Sequence, residues 1–135
     1  MDLKNLTPTS DTIEVILVHP NTLEPLMNEG NKKSEMSITL YAPHSPEYKK
    51  LVHEQTDKRL AQMQKSKKVQ ISAADLEKSS IDILAKATKE WDITYDGESP
   101  KLSVAQAREI YSECFWIKDQ LERRLTTLWI LRKHS

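Results

Sequence analysis

The groups in this 135-residue chain able to bind metal, attack a substrate or move protons are four histidines, one cysteine and twenty acidic side chains. His19, His44, His53 and His134 are scattered along it. Metal sites draw ligands at short spacings, such as one helical turn, so that lone pairs converge on one ion. None of these pairs is so spaced, and surface or capping roles are expected for all of them. Cys114 would serve as a nucleophile only beside a base, in an electropositive pocket that favours the thiolate. Next to Phe115 and Trp116 it reads instead as a small core residue at the end of a helix. The carboxylates Asp75, Glu77, Asp82, Glu90, Asp92, Asp96 and Glu98 fall at helix starts or on exposed faces, and nothing singles out two of them as an acid–base pair. Gly30 and Gly97 stand too far apart to build a phosphate-cradling loop. The expectation is a protein without catalytic residues, without a bound cofactor and without a metal.

The sharpest electrostatic feature is the stretch from Lys49 to Lys68, where Lys49, Lys50, Lys58, Arg59, Lys65, Lys67 and Lys68 face only Glu54 and Asp57. Lysines of this kind can neutralise phosphates without reading sequence. They point all around a helix, however, and no aromatic side chains interleave to stack bases. A solvated face is the expectation, with a nucleic-acid-binding regulatory protein as a second reading. Across the whole chain twenty basic and twenty acidic residues cancel, so no global field draws it to a polyanion.

One cysteine excludes an intrachain disulfide and fits a reducing compartment. The start of the sequence lacks an apolar signal region, and no window approaches the ~20 apolar residues of a membrane span. A soluble, intracellular protein with no membrane partner is expected.

The elements follow from periodicity and punctuation. Residues 1–11 read as a loose arm and 12–135 as a single α+β domain, with a β-meander over 12–41 and helices over 45–133. Thr12–His19 is rich in β-branched residues, with Ile13, Val15 and Leu17 on one face. Leu23–Leu26 is a candidate return strand, confined to an edge by Pro25. Glu35–Tyr41 alternates, with Met36, Ile38 and Leu40 inward. The result is a small antiparallel sheet of two or three strands that needs helices to cover it.

Four helices are expected to follow. Ser45, Pro46 and Glu47 start the first, which runs to about Lys65; its stripe of Tyr48, Val52, Leu60 and Met63 is broken by Gln55 and Thr56. Ser72–Asp75 caps a second, which runs to about Glu90 with Leu76, Leu84, Ala87 and Trp91 on one face. On that placement Trp91→Ala costs on the order of 3–5 kcal/mol as a core truncation. Asp96-Gly97 marks a turn, Ser103–Gln106 a capping box for a third helix, and a fourth begins near Phe115.

Tyr111, Phe115, Trp116 and Trp129 are either core or contact surface. Trp129 lies in Leu128-Trp-Ile-Leu131, four apolar residues in a row around a helix, which usually packs against something else. A partner helix or self-association is the sharp version of that reading.

Taken together, these motifs resemble a known family. The segment Pro20-Asn-Thr-Leu-Glu-Pro-Leu26, then Met36-Ser-Ile-Thr-Leu-Tyr41 and His44-Ser-Pro-Glu-Tyr48, is similar to the N-terminal half of tail assembly chaperones from tailed bacteriophages and prophages. Ala85-Lys-Ala-Thr-Lys-Glu-Trp91, the Asp96-Gly97 turn, Ala107-Arg-Glu-Ile-Tyr111 and Trp116-Ile-Lys-Asp-Gln120 resemble their C-terminal half. Phe115 stands where a proline would be expected before the tryptophan, and the end after Arg124 departs from the usual polar tail. The resemblance implies a non-enzymatic protein of the host cell cytoplasm that coats the tape measure protein and recruits tail tube subunits. A structural virion protein of the tail or head–tail junction is the alternative in the same setting. Tyr111, Phe115, Trp116, Ile117, Leu121, Leu128 and Trp129 are the residues expected to form the partner contact or the core directly beneath it.

Overall fold

A computed structural model describes residues 11–29, 34–65 and 72–134, with side chains through residue 127. Of the arm expected over 1–11, only Asp11 falls among them. Three strands, β1 (Thr12–Ile16), β2 (Ser37–Tyr41) and β3 (Thr88–Asp92), form an antiparallel sheet in the order β1-β2-β3. Four helices, α1 (Pro46–Lys65), α2 (Ala73–Ala87), α3 (Val104–Glu113) and α4 (Phe115–His134), complete the α+β fold.

The alternation in the sequence sets which face is buried. Ile13 pairs with Leu40 and Val15 with Ile38, so the inward residues of β1 and β2 lie opposite one another. Ile38 and Leu40 are fully buried beneath Leu84, Ala107, Ile110, Tyr111, Ile117 and Leu121 from the helices. Ile16, on the other face of β1, stays exposed. One sheet face is thus dry and one wet, the usual division for an antiparallel sheet under a helical layer.

The third strand is not where the sequence placed it. The return segment makes only isolated bridges, Val18 with Pro25 and Met27 with Glu35. Proline lacks the N–H that would extend a ladder there. The helix expected to run to Glu90 ends at Ala87, and residues 88–92 become β3 instead. Thr88 is the hinge. It takes an extended backbone, its N–H returns to the Ala85 carbonyl, and its hydroxyl donates to the Leu84 carbonyl at 2.8 Å. Its β-branched side chain suits a strand better than a helix interior. Register then slips by one residue: Thr39 faces Glu90 but Leu40 faces Thr88, leaving Lys89 as a bulge.

Trp91 therefore belongs to a strand, opposite Ile38, and not to a helix face. It is half-buried against the core, and its indole N–H donates to the Pro100 carbonyl at 2.9 Å. Because part of the ring stays in water, we expect Trp91→Ala to cost about 2–3 kcal/mol, below the value for full burial. Trp91→Phe should cost about 1 kcal/mol. Urea unfolding of both variants measures this; a loss under about 1 kcal/mol for the alanine variant would show that the ring adds little to the sheet.

Local signals fix the remaining corners. Asp96 and Gly97 both have positive φ, at 55° and 75°, and Tyr95 and Glu98 exchange backbone hydrogen bonds across them, as a two-residue hairpin turn requires. Ser72 and Asp75 form a complete capping box, whereas at α3 only the Ser103 hydroxyl bonding to the Gln106 N–H is present. Cys114 caps the end of α3, half-buried against the core.

One long-range contact ties the two ends of the fold. The Gln120 side-chain amide accepts from the Val18 N–H at 3.0 Å and donates to the Val18 carbonyl at 2.8 Å. A side chain on α4 thereby satisfies both backbone groups of a residue just past β1, as a neighbouring strand would.

Candidate partner-binding surfaces

The aromatic and apolar residues proposed for contact divide sharply in the structure. Tyr111, Ile117 and Leu121 are buried and build the core. Trp116 is half-buried against it. Phe115, the first residue of α4, is 70% exposed. The side chains of Leu128 and Trp129 lie outside the described residues. Of the set, Phe115 alone offers a large apolar surface to solvent among the described side chains, because the short α3–α4 junction turns it outward while burying its neighbours at positions 111 and 117.

Cys114 and the histidines show their surroundings plainly. Burial pushes the Cys114 thiol up, and the carboxylate of Glu113 acts in the same sense, so the thiolate is disfavoured. His19 Nδ1 accepts from the Asn21 and Thr22 N–H groups at 3.1 and 3.3 Å, a turn-capping role. His44 Nε2 lies 3.8 Å from Asp11. Among the described residues no three His, Cys, Asp or Glu side chains gather as a metal site, and no helix is long and apolar enough to cross a membrane.

The largest uncovered feature is α1. Over twenty residues it buries none. At 1.5 Å per residue it is about 30 Å long, and a helix packed this lightly draws little stability from its own domain. Val52, Leu60 and Met63 recur at helical spacing on one exposed stripe, the latter two at 53% and 56% exposure. Gln55, which breaks the stripe in sequence, helps Tyr48 to hold the helix: its amide donates to the Ser79 carbonyl on α2 at 3.0 Å, while Tyr48 packs against the core.

Beside that stripe, α1 and α2 diverge around an open trough of about 820 Å³, closed on one side by Arg108 and Ser112 of α3. Lys58 and Arg59 line it from α1, and Glu77, Lys78, Asp82 and Lys86 from α2. Asp82 is held by Lys86 at 3.1 Å and by the Arg108 guanidinium. Burial alone would raise the Asp82 carboxyl, but hydrogen bonds from Lys86 and Arg108 outweigh it and hold the group below its ordinary value. Lys58, Arg59 and Lys78 have no ion-pair partner among the described residues. The basic run in the sequence thus contributes Lys58 and Arg59 to one wall, while Lys49, Lys50 and Lys65 lie elsewhere on the helix. The opposite wall was not legible, since Lys78, Lys86 and Arg108 carry no local pattern that joins them to α1.

Compared with known proteins, the chain matches no family model, no curated protein and no solved structure. The functional reading therefore rests on the sequence motifs and on these surfaces.

Proposed function

We propose that this chain is a tail assembly chaperone of a tailed phage or prophage, which binds the tape measure protein and helps to recruit tail tube subunits without catalysing a reaction. The observation that carries the reading is α1, a helix of twenty residues with none buried and an apolar stripe facing solvent. A tape measure protein is a long helix with its own apolar stripe, and it aggregates when bare. An adaptor whose helix lies half-finished supplies the complementary face, and the partner's helix completes the packing. Phe115, the first residue of α4, adds a second exposed apolar point.

Binding of this kind must be weak enough to be displaced. An exposed stripe of three side chains flanked by polar residues suits moderate affinity better than the dry core of an obligate complex. Co-expression with the tape measure protein encoded beside it tests the proposal. The expected result is a soluble tape measure protein that co-purifies with the chain. Unchanged solubility and no co-purified complex would overturn it.

A further inference from the structure

We propose that the trough between α1 and α2 is a recognition site for an acidic amphipathic helix on the partner, in which charge selects the partner and the apolar floor of the trough supplies contact area. This deepens the reading above and depends on it only for the helical nature of the partner. Three observations carry the claim. The chain as a whole is neutral, yet five basic side chains line the trough against two acidic ones. One acid, Asp82, is already engaged by Lys86 and Arg108, which leaves Lys58, Arg59 and Lys78 as cations without a partner among the described residues. Between the cationic side chains, Ala74 and Ile81, two turns apart on one face of α2, give the trough an apolar floor.

Size and shape agree with a helix. An α-helix about 10 Å across fills roughly 400 Å³ per turn, so the trough of about 820 Å³ takes about two turns of one. It opens to solvent, whereas a small-molecule pocket encloses most of its ligand. A helix seated there sets its apolar stripe against Ala74 and Ile81. Carboxylates one turn away then reach Lys58, Arg59 and Lys78. Nucleic acid fits less well: phosphates would neutralise the lysines but leave Ala74 and Ile81 uncovered, and no aromatic side chain lines the trough to stack a base. Charges placed this way govern partner choice and association rate more than final affinity.

Fluorescence anisotropy with the full chain tests the proposal. The probes are labelled peptides of about 20 residues, long enough to form a helix. One carries a leucine stripe flanked by glutamates. The second has lysines in place of the glutamates, and the third is the first with its order scrambled. The glutamate peptide should bind at least about tenfold more tightly than either of the others, and its affinity should fall as salt rises. Lys58→Glu with Lys78→Glu should reverse the preference towards the lysine peptide, with circular dichroism verifying the fold; if that pair unfolds the chain, Lys58→Gln with Lys78→Gln should still weaken the glutamate peptide by about tenfold. Equal binding of the three peptides, no binding of the glutamate peptide, or indifference to the lysine substitutions would overturn the proposal. So would duplex DNA that displaces the glutamate peptide from the trough at lower concentration than unlabelled peptide does.

The two readings fail separately. Glutamate-peptide binding without tape measure co-purification keeps the acidic-helix site and removes the phage role. Tape measure co-purification untouched by the lysine substitutions keeps the phage role and removes the acidic-helix site.

Discussion

Tyr111→Ala is expected to cost about 4 kcal/mol, a large share of the stability of a domain this size. The ring is fully buried at the centre of the core. Its hydroxyl lies 2.7 Å from that of Thr88. Thr88 has one proton and gives it to the Leu84 carbonyl, so Tyr111 is the donor in this pair. A relay of two hydrogen bonds thus links α3 through the first residue of β3 to the last turn of α2. Tyr111→Phe keeps the volume and loses only the outer bond, at about 1 kcal/mol. Urea midpoints for the two variants should be well separated; equal losses would mean that packing around the ring is not what holds it.

The same residue gives the fold an alkaline limit. Burial pushes the Tyr111 phenol up to about 12. A folded value above the unfolded one means that the contribution is fully present below about pH 10 and is lost as pH rises through about 12. Over that window the loss is of the order of 3 kcal/mol. Tyr95 is also raised to about 12, chiefly by its hydrogen bond to Glu113, but on the surface. Unfolding measured between pH 10 and 12 should therefore fall less steeply for Tyr111→Phe than for the unaltered chain. Parallel curves would place the alkaline loss elsewhere.

Gln120→Glu is expected to destabilise the fold by about 2–3 kcal/mol at neutral pH, although the two side chains have nearly the same shape. The carboxylate can still accept from the Val18 N–H, but it cannot donate to the Val18 carbonyl, and it sets a negative charge against that oxygen. The charged form is disfavoured in the folded state, so the new carboxyl should titrate above its ordinary value of about 4.3. Protonation restores a donor and an acceptor in the amide's places, and stability relative to the unaltered chain should recover as pH falls through that range. Thermal melts at neutral and acid pH give the answer. A deficit that does not narrow in acid would show that the amide's donor role is unimportant.

What could be read from the sequence, and what could not, follows the range of the interaction responsible. The alternation of Met36, Ile38 and Leu40, the Ser72–Asp75 cap and the Asp96-Gly97 turn are decided within a few residues, and the structure has each of them. The third strand was misplaced because Thr88, Lys89 and Glu90 contain no breaker and follow a good helix without a gap. Their strand form comes from the free edge of β2, a tertiary partner that overrides local preference. A signal was nonetheless present in Trp91, Ile93 and Tyr95, which alternate into the hairpin turn. Gln120 and Val18 are 102 positions apart, and neither carries a mark of the other. The contact surface shows the same division. Phe115, Trp116 and their neighbours stood out as apolar, but only the α3–α4 junction decides that Phe115 faces out while Tyr111 and Ile117 face in. The two-walled trough arises from three separate helices, so spacing along the chain could not reveal it.

The clasp between Val18 and Gln120 also sets a timetable. At a translation speed of about 5–20 residues per second, roughly 5–20 seconds separate the emergence of the two residues from the ribosome. Throughout that interval the first two strands wait with Ile38 and Leu40 unroofed, since every helix that shelters them is encoded later. The dry face of the sheet is thus open to clumping while the chain is being made, and it becomes safe only when α4 snaps shut over the beginning of the fold.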